Sequence, residues 1–573
     1  MKITGAALFT KALEAEGVDM VFGYPGGQAI DLFDALYDHP SVEVILTRHE
    51  QGLAHAADGY ARSTGKTGVC LVTSGPGATN LVTGIATANY DDSVPMVCFT
   101  GQVATGLLGK DAFQEVDIVS IVGSITKYAV TVLRREDLAG EIRKAFCLAK
   151  SGKPGVVVVD IPKDVQQALG SEDYTPSRTE KRSENPGLKG NTWAAEAAGI
   201  ITRAQRPLIL AGGGVHIAGA SAALQTFAEK TGIPVVTTIM GRGALPTRHP
   251  LFAGNIGIHG SFAANSAVSG CDVLLAVGTR LNDRITGRTA DFAKHAKLIH
   301  IDIEPSILSR NVLASLAVTA DAGKALAALD RQMDKTEFGC WQRQIRDWQT
   351  RHPLGMAGKG LTPQQIIEAV STLLPEAIVV TDVGQNQLWT TQFLEQSGGR
   401  RLITSGGLGT MGYGLPAAVG ASLGNPGRRV VAIMGDGGLQ MVSQELATAV
   451  VYGLPVILCV LNNGWLGNVR QWQELFYGKR YSSTCLRARR SCKQCCSGPS
   501  GDCPEYTPDF IRLAESYGIS AWRVTGAEDV EPALKKAIGH AAGPAFIEFM
   551  LEAESNVLPI VPPGNALDEM EGV

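Results

Sequence analysis

In the last third of the chain, residues 429–463 read RVVAIMGDGGLQMVSQELATAVVYGLPVILCVLNN. Two apolar runs, residues 429–434 and 455–461, predict strands of a buried parallel sheet, and residues 444–452 predict the helix between them. A right-handed β–α–β crossover brings the carboxyl ends of both strands to one edge of the sheet, where α/β proteins bind ligands. Asp436 and Asn463 follow the two strands, so they can offer a carboxylate and an amide oxygen to one hard cation.

Composition excludes several classes of function. The chain has 573 residues, which at roughly 150 residues per domain predicts three or four domains. A net charge of −4 excludes the basic footprint of a DNA- or RNA-binding protein. We find no apolar run long enough to cross a membrane and neither a signal nor a transit peptide, so we expect a cytoplasmic protein without a membrane partner.

Alternating strand and helix patterns divide the chain into three segments. We expect three doubly wound α/β domains with parallel sheets, at residues 1–170, 191–335 and 361–555. Residues 171–190 are polar and are interpreted as a linker, and residues 335–360 are again polar and aperiodic. The first and third segments share the order strand, Gly-rich turn, helix, strand, which predicts two similar sheets that face each other.

Glu50 is the strongest candidate for acid–base chemistry in the first segment. It comes just after an apolar strand pattern, on a helix rich in alanine and glycine. The spacing of Gly435-Asp436-Gly437 and Asn462-Asn463 resembles the thiamin-diphosphate signature, in which Mg²⁺ joins the cofactor to the protein. That cofactor needs a carboxyl group such as Glu50 to exchange a proton with N1′ of its pyrimidine ring. For the Asp436 and Asn463 pattern, the alternative is two ordinary turns at strand ends. For Glu50, the alternative is a glutamate in the first turn of a helix, where its charge interacts favourably with the helix dipole.

Further segments resemble one family in particular. They are residues 21–27 (VFGYPGG), 48–51 (RHEQ), 74–80 (SGPGATN), 111–115 (DAFQE), 155–166, 406–417 and 435–473. Because they follow the family order over nearly the whole chain, the chain is identified as a member of the acetohydroxyacid synthase (acetolactate synthase) catalytic subunits. The resemblance implies a pyrimidine-binding, a central FAD-binding Rossmann-like and a diphosphate-binding domain. It also implies thiamin diphosphate, Mg²⁺ and FAD as cofactors.

The resemblance implies a decarboxylating condensation of two 2-ketoacids. Pyruvate and pyruvate would give 2-acetolactate, and pyruvate and 2-ketobutyrate would give 2-aceto-2-hydroxybutyrate, in the first common step of isoleucine and valine biosynthesis. The alternatives are another thiamin-diphosphate-dependent 2-ketoacid decarboxylase or oxidase and a degenerate, inactive cofactor-binding subunit. The implied assembly is a homodimer with active sites at the interface. A tetramer and a complex with a regulatory small subunit are the alternatives.

The thiamin-diphosphate site is assigned by position from the resemblance. Glu50 and Gln114 are the implied catalytic residues at the aminopyrimidine, and Met411 would hold the cofactor bent. The other implied cofactor contacts are Tyr24, Pro25, Gly26, Pro76, Asn80, Val383, Gly384, Gln385, Asn386, Gly409, Gly437 and Gly438.

The metal site is assigned in the same way. The implied Mg²⁺ ligands are Asp436, Asn463 and the backbone oxygen of Trp465. Asn386 stands where the family usually has histidine. An asparagine can still donate a hydrogen bond to the diphosphate but cannot carry a charge.

The central segment resembles the FAD-binding domain of the family. The implied FAD contacts are Lys153, Gly212, Gly213, Gly214, Thr238, Ile239, Met240, Gly278, Arg280, Asp302, Ile303 and Asp321. Gly-rich turns after strands suit a pyrophosphate, but a three-glycine turn is weakly specific. The alternative is a Rossmann-like domain with an empty site.

The resemblance also assigns the substrate pocket. Its implied residues are Lys163 and Arg284, both also implied in catalysis, together with Phe113, Ile258, Asn468 and Trp472. Arg284 could hold the carboxylate of the second ketoacid, and the indole of Trp472 would favour an ethyl over a methyl acceptor by packing. Ile258 and Asn468 stand where the family usually has methionines. Asn468 makes the pocket more polar, so a preference for pyruvate is the alternative to one for 2-ketobutyrate.

A cysteine-rich insert at residues 485–505 is absent from the usual pattern of the family. Cys492, Cys495, Cys496 and Cys503 have a spacing that suits tetrahedral zinc or an iron–sulfur cluster as a second metal site. The alternative is an exposed loop of redox-prone thiols. The insert follows Trp472 closely, so we expect it to lie beside the active site.

Overall fold

The three predicted sheets are present in the computed structural model, which describes residues 2–90, 93–177, 192–356, 358, 360–489, 492, 503–504 and 508–573. Each sheet has six strands, and every pairing within the three sheets is parallel. Helices flank the sheets, so the predicted α/β fold class is confirmed. Within these ranges every helix is too short or too polar to span a lipid bilayer.

The first sheet has the strand order β3-β2-β4-β5-β7-β6. The strands of this part of the chain are β1 Lys2–Thr4, β2 Met20–Tyr24, β3 Glu43–Leu46, β4 Gly68–Val72, β5 Met96–Gln102, β6 Tyr128–Thr131, β7 Val156–Pro162 and β8 Leu169–Ser171, and the helices are α1 Gly5–Ala15, α2 Ile30–Tyr37, α3 Glu50–Thr64, α4 Pro76–Asn80, α5 Val82–Tyr90, α6 Ile118–Val122, α7 Leu138–Lys150 and α8 Lys163–Gln167. β1 pairs antiparallel with β8 outside the main sheet, so a strand of three residues precedes the first helix.

The central sheet has the order β11-β10-β9-β12-β13-β14. Its strands are β9 Pro207–Ala211, β10 Val235–Thr237, β11 Phe252–Asn255, β12 Val273–Val277, β13 Lys297–Asp302 and β14 Leu316–Thr319, and the helices are α9 Thr192–Thr202, α10 Gly213–Ile217, α11 Ser221–Thr231, α12 Phe262–Gly270, α13 Asp283–Thr286, α14 Ala322–Gln332 and α15 Gly339–Arg351. Our interpretation of residues 335–360 as aperiodic was wrong, because α15 lies within them. Trp341, Ile345 and Trp348 of α15 recur at the spacing of one helix face, but the other residues of the helix are mostly polar or charged, so the segment was mistaken for an aperiodic one.

The third sheet has the order β16-β15-β17-β18-β20-β19. Its strands are β15 Ile378–Thr381, β16 Leu402–Ile403, β17 Val430–Gly435, β18 Val456–Asn462, β19 Ser520–Val524 and β20 Ala545–Met550, and the helices are α16 Pro363–Leu373, α17 Gln385–Phe393, α18 Gly414–Gly424, α19 Asp436–Val442, α20 Leu446–Val451, α21 Gly467–Phe476, α22 Phe510–Ser516 and α23 Val530–Gly539. β17 and β18 are adjacent and parallel, as predicted. Two helices, α19 and α20, connect them instead of the single predicted one.

Helix α3 of the first segment packs closely on helix α18 of the third. A Cβ atom added at Gly420 would lie 1.8 Å from the carbonyl oxygen of Ala56, and one added at Gly59 would lie 2.1 Å from that of Ala417. The two glycines therefore allow the helix backbones to touch. Because α3 begins at Glu50, this contact fixes the position of that carboxyl group relative to the third sheet.

After β20, residues 551–573 run back to the central sheet, and we call them the C-terminal segment. The N–H of Val561 donates to the carbonyl oxygen of Ile258 at 2.8 Å, and the N–H of Arg288 donates to that of Asn565 at the same distance. These hydrogen bonds connect the third sheet to the central one through the end of the chain.

Candidate active site

A cavity of about 60 Å³ lies at the carboxyl edge of the third sheet, and we call it the Asp436 cavity. The residues predicted to hold the diphosphate and the metal line it together. They are Val383, Gly384, Gln385, Asn386, Met411, Asp436, Gly437, Gly438, Asn463 and Trp465. The ends of β15, β17 and β18 supply most of them, which is the outcome expected from parallel strands that finish at one edge.

Asp436 and Asn463 have the chemistry of a cation site. Asp436 is the first residue of α19 and is 2% exposed, and its Oδ2 accepts the N–H of Gly464 at 2.9 Å. Burial raises the pKa of Asp436 to about 7. Asn463 Oδ1 accepts the N–H of Trp465 at 3.1 Å. A divalent cation would offset the cost of burying the Asp436 charge, so these oxygens fit Mg²⁺.

The side-chain amide of Asn386 is hydrogen-bonded to the backbone. Its Nδ2 donates to the carbonyl oxygens of Asp382 at 3.0 Å and Ile433 at 2.9 Å. Both amide hydrogens are therefore engaged with the backbone, and the hydrogen bond expected from Asn386 to the diphosphate would require the amide to rotate.

Asp382 belongs to the site and was not predicted. It is completely buried, and its carboxylate accepts the N–H groups of Val383 at 2.8 Å, Gly412 at 3.1 Å and Gly414 at 2.9 Å. Burial raises the pKa of Asp382, and these hydrogen bonds act in the opposite direction. Asp382 therefore holds the loop that carries Met411. Its position directly after β15, like that of Asp436 after β17, was the available signal.

A second group of predicted residues surrounds Glu50 in the first segment. Asn80 Nδ2 donates to Glu50 Oε2 at 3.0 Å. Gly26 and Gly77 both face Thr73, since Cβ atoms built on them would lie 2.6 and 2.9 Å from its side chain, and the one at Gly77 would lie 3.6 Å from Glu50 Oε1. Most of the predicted pyrimidine-side residues thus meet at the ends of β2 and β4.

The loop that carries Gln114 joins this group. Gln114 has a φ of 60°, and its backbone oxygen would lie 2.9 Å from a Cβ on Gly75, next to Pro76. The carboxylate of Glu115 accepts N–H groups of the same loop, including that of Ala112 at 3.2 Å. Phe113 is 84% exposed at the tip. The loop is therefore ordered around a non-glycine residue in the left-handed region.

Lys163 and Tyr24 lie at neighbouring strand ends of the same sheet. Lys163 begins α8 after β7, and its Nζ contacts Asp31 Oδ2 at 2.7 Å and the carbonyl oxygen of Gly27 at 2.9 Å. Tyr24 is the last residue of β2, directly before Pro25, and is exposed. These residues border the glycine turn at Gly26.

A cavity of about 340 Å³ lies between the central and third sheets, and we call it the Trp472 cavity. Four predicted pocket residues line it, and Gly409 of the predicted cofactor set is also in its wall. The four are Ile258, Arg284, Asn468 and Trp472. The Arg284 guanidinium lies 5.9 Å from the centre of the Trp472 ring.

The wall of the Trp472 cavity also contains polar residues that the sequence did not indicate. They are Asn255, His259, Gln387, Thr391 and Ser405. Burial lowers the pKa of His259 to about 4, so its imidazole is neutral at pH 7. The cavity thus combines one cation with several neutral hydrogen-bonding groups.

A third cavity, of about 280 Å³, lies on the central sheet, and we call it the Asp302 cavity. Every residue predicted to contact FAD lines it except Gly212. Gly212 lies behind the wall, where an added Cβ would be 2.2 Å from the carbonyl oxygen of Gly278. Arg280 and Lys153 bring positive charge, and burial raises the pKa of Asp302, at the end of β13, to about 6. A dinucleotide needs positive charge near its pyrophosphate and a carboxyl group at a strand end for a ribose hydroxyl, and these residues supply both.

The three cavities adjoin one another. Ile239, Arg284, Ile285 and Gly406 line both the Asp302 and the Trp472 cavities, and Val383, Gly384 and Asn468 line both the Trp472 and the Asp436 cavities. Within the described residues, the group around Glu50, Gln114, Phe113 and Lys163 lines none of these three. The predicted site is therefore present in two halves.

Half of the predicted second metal site falls outside the described residues. Cys492 and Cys503 are described, but Cys495 and Cys496 are not. Among described side chains, no cluster of three or more His, Cys, Asp or Glu residues has the arrangement of a metal site. The cysteine site stays a prediction.

Comparison with known proteins identifies the family. Three family models match: the N-terminal TPP binding domain of thiamine pyrophosphate enzymes at residues 3–121, their central domain at 194–329 and their C-terminal TPP binding domain at 382–549. A probable acetolactate synthase large subunit of Methanocaldococcus jannaschii is 44% identical over 98% of this chain and 94% of its own length. The acetolactate synthase isozyme 2 large subunit of Escherichia coli (strain K12) is 42% identical over 99% of both chains. The chain therefore belongs to the thiamine pyrophosphate enzymes and, among them, to the acetolactate synthase large subunits.

Proposed function

We propose that this protein condenses two 2-ketoacids with loss of CO₂. Two pyruvates would give 2-acetolactate, and pyruvate with 2-ketobutyrate would give 2-aceto-2-hydroxybutyrate, in the cytoplasm, as the first common step of isoleucine and valine biosynthesis. The observation that carries the proposal is the shared wall of Val383, Gly384 and Asn468 between the Asp436 and Trp472 cavities. This shared wall supports the proposal, because a second ketoacid in the Trp472 cavity would lie directly beside the predicted cofactor position.

The Asp436 cavity would hold the diphosphate of thiamin diphosphate together with Mg²⁺. Asp436, Asn463 and the backbone oxygen of Trp465 would bind the metal, and Gly437 and Gly438 at the start of α19 would face the phosphate oxygens. When bound, thiamin diphosphate would supply an acidic C–H whose carbanion, formed by loss of the proton, can add to a ketoacid carbonyl and then stabilise the charge left by loss of CO₂.

Glu50 would hold and release the proton at N1′ of the aminopyrimidine. The hydrogen bond from Asn80 orients its carboxyl group and leaves Oε1 for this exchange. Gln114 would bind the same ring from the loop held by Glu115. Met411, positioned through Asp382, would support the opposite side of the cofactor.

Arg284 and Trp472 would select the second ketoacid. The guanidinium can bind its carboxylate, and the indole would limit the length of its side chain. One methylene group in such a pocket is worth about 1–3 kcal/mol. Phe113 and Lys163, on the Glu50 half, would close the pocket from the other side.

FAD would occupy the Asp302 cavity. Arg280 and Lys153 would face its pyrophosphate, and Asp302 would accept a hydrogen bond from a ribose hydroxyl. Because this cavity shares Arg284 with the Trp472 cavity, the flavin would form part of the frame that positions the acceptor pocket.

Two chains would be needed to complete each site, because the Glu50 group lines neither the Asp436 nor the Trp472 cavity of its own chain. The proposed assembly is a homodimer in which Glu50 of one chain serves the Asp436 cavity of the other. The single variants Glu50→Gln and Asp436→Asn should each be inactive. When they are refolded together, half of the random dimers contain one chain of each kind, and one of the two sites in such a dimer is intact, so the mixture should regain about a quarter of wild-type activity. A mixture no more active than its components would contradict the shared site.

The reaction is tested by product identification. Purified protein incubated with pyruvate, thiamin diphosphate, Mg²⁺ and FAD should form 2-acetolactate, and 2-aceto-2-hydroxybutyrate when 2-ketobutyrate is added. Acetaldehyde or acetate as the main product would assign the protein to the decarboxylase or oxidase alternative. Omitting FAD tests separately whether the flavin is required.

A further inference from the structure

Gln471, one residue before Trp472 on α21, lies at the centre of a buried hydrogen-bond network. Its side chain is completely buried. Nε2 donates to the carbonyl oxygen of Val557 at 2.9 Å, and Oε1 accepts the N–H of Val557 at 2.8 Å. The side-chain amide of Gln471 thus pairs with both the N–H and the C=O of Val557, in the way that the backbone of a neighbouring strand would.

The network continues from Gln471 to the metal side of the site. Gln385 Nε2 donates to Gln471 Oε1 at 3.1 Å and to the carbonyl oxygen of Ser555 at 2.9 Å. Gln385 Oε1 accepts from Asn463 Nδ2 at 3.3 Å. Asn463, a proposed Mg²⁺ ligand, is therefore connected to the C-terminal segment through two glutamine amides.

Beyond Val557, the C-terminal segment contacts residues of the central segment that line the Trp472 cavity. The N–H of Val561 donates to the carbonyl oxygen of Ile258 at 2.8 Å, and the carbonyl oxygen of Pro559 lies 3.2 Å from His259 Nδ1. Ile258 and His259 of the central segment line this cavity, and so do Asn468 and Trp472 of α21. Residues 557–561 thus connect two walls of one cavity that belong to different sheets.

We propose that Gln471 is a positioning residue that sets the width of the acceptor pocket by holding α21 to residues 557–561. The inference rests on the proposed function, since it assigns the Trp472 cavity to the second ketoacid. Gln471 does not line the cavity, so it acts through Val557 and through Trp472 beside it. Loss of its hydrogen bonds would let the Trp472 wall move away from the Ile258 wall, and longer acceptors would then fit.

Gln471→Glu is the test variant, because it keeps the side-chain shape but replaces the donor to Val557 with an oxygen. Gln473→Glu is the matched control. Gln473 lies on the same helix and also uses both ends of its amide, but its partners are Ser482 at 2.9 Å and Thr484 at 2.8 Å, away from the C-terminal segment. If Gln471→Glu does not fold, Asn556→Ala replaces it, because Asn556 makes the neighbouring side-chain contacts with α21.

Two measurements are made on the full-length enzyme with its cofactors. In Gln471→Glu the acceptor for the Val557 N–H is kept, but the second carboxylate oxygen would face the carbonyl oxygen of Val557, and their repulsion should open the pair. We therefore expect hydrogen–deuterium exchange of the Val557 amide, measured at neutral pH, to be about tenfold faster in Gln471→Glu than in the wild type and the control. Competition between pyruvate and 2-ketovalerate reports the pocket, and we expect the share of product from the longer acceptor to rise about threefold or more in Gln471→Glu only.

The proposal is overturned if Val557 exchange is unchanged, or if exchange is faster while the product share stays at the wild-type value. It is equally overturned if the control shifts the product share as much as Gln471→Glu. Acetolactate formation by the wild type from pyruvate alone is measured first. If no acetolactate forms, the proposed function is contradicted. The exchange rate of the Val557 amide does not depend on that result and tests separately whether Gln471 anchors the C-terminal segment.

Discussion

Gly420→Ala is the sharpest perturbation of the contact between α3 and α18. The new Cβ would lie 1.8 Å from the carbonyl oxygen of Ala56, which is 1.6 Å less than the 3.4 Å at which ordinary contacts begin. The obstacle is a backbone atom inside a helix, so no side-chain rotation can relieve it. The two helices must separate or tilt.

The cost follows from two opposing terms. Alanine favours a helix over glycine by about 1 kcal/mol. Overpacking costs about 1–3 kcal/mol, and a backbone clash of this depth belongs at or above the upper end. The expected net destabilisation is about 2 kcal/mol, or a melting temperature about 4–8 °C lower for a unit of this size. Because α3 begins at Glu50, a displacement of α3 by about 1 Å would also move this carboxyl group relative to the Asp436 cavity of the partner chain in the proposed dimer, and turnover should fall by up to about a hundredfold.

The assay is thermal unfolding of both Gly420→Ala and a control, followed by the rate of acetolactate formation. Gly199→Ala is the control, because Gly199 lies inside α9 and its added Cβ would lie 3.5 Å from the nearest atom, Arg203 Nη1. The control should gain up to about 1 kcal/mol from helix propensity alone. If Gly420→Ala raises the melting temperature as the control does, the tight contact between the helices is refuted.

Four further predictions address single groups. Glu50→Gln should keep cofactor binding but lower turnover by about two orders of magnitude or more, and near-normal H/D exchange at the cofactor carbon C2 would contradict this role. Trp472→Leu should lower the ratio of 2-ketobutyrate-derived to pyruvate-derived product, with acetolactate formation largely intact. The loss corresponds to at most about 1–3 kcal/mol of discrimination between the two acceptors, and an unchanged ratio in a competition assay would exclude the indole as the selector. Burial raises the pKa of Asp160 to about 6 from 3.8, so the folded state binds an extra proton between these values. The free energy of unfolding of the wild type relative to Asp160→Asn should therefore rise by about 1.3 kcal/mol as the pH falls from 7 to 5, and a constant difference would contradict it. Anaerobically purified protein should contain about one zinc ion or one iron–sulfur cluster per chain at the insert 485–505, and sub-stoichiometric zinc and iron would leave a reactive loop.

The sequence predicted the centre of each sheet because buried parallel strands are continuous apolar runs. β17 and β18 therefore stood out, and Asp436 and Asn463 could be placed at one edge from the strand order alone. The strands β6, β11 and β14 were not predicted, and neither were β15, β16, β19 and β20 of the third sheet. β6, β11 and β14 lie at sheet edges and are only partly buried, so their sequences lack a clear pattern. β15 and β20 are buried, so partial burial does not explain why these two were missed.

The hydrogen-bond network of the site was beyond prediction for a different reason. Gln471 bonds to Val557, which lies 86 residues later in the chain. Nothing in the local sequence of α21 distinguishes its buried glutamine from Gln473, two residues on. Asp382 could have been found, since it follows a strand as Asp436 does, but its loop-holding role depends on the folded position of Gly412 and Gly414.

The contact between α3 and α18 also determines when the molecule can finish folding during its synthesis. About 350 residues separate the end of α3 from the start of α18, which corresponds to about 20–70 s at ribosomal rates of 5–20 residues per second. Throughout that interval the face of α3 around Ala56 and Gly59 lacks the helix that covers it. A fragment that ends before α18 would keep this face exposed, so the first sheet should not be stable as an isolated monomer, and the growing chain should depend on chaperones until its last third emerges.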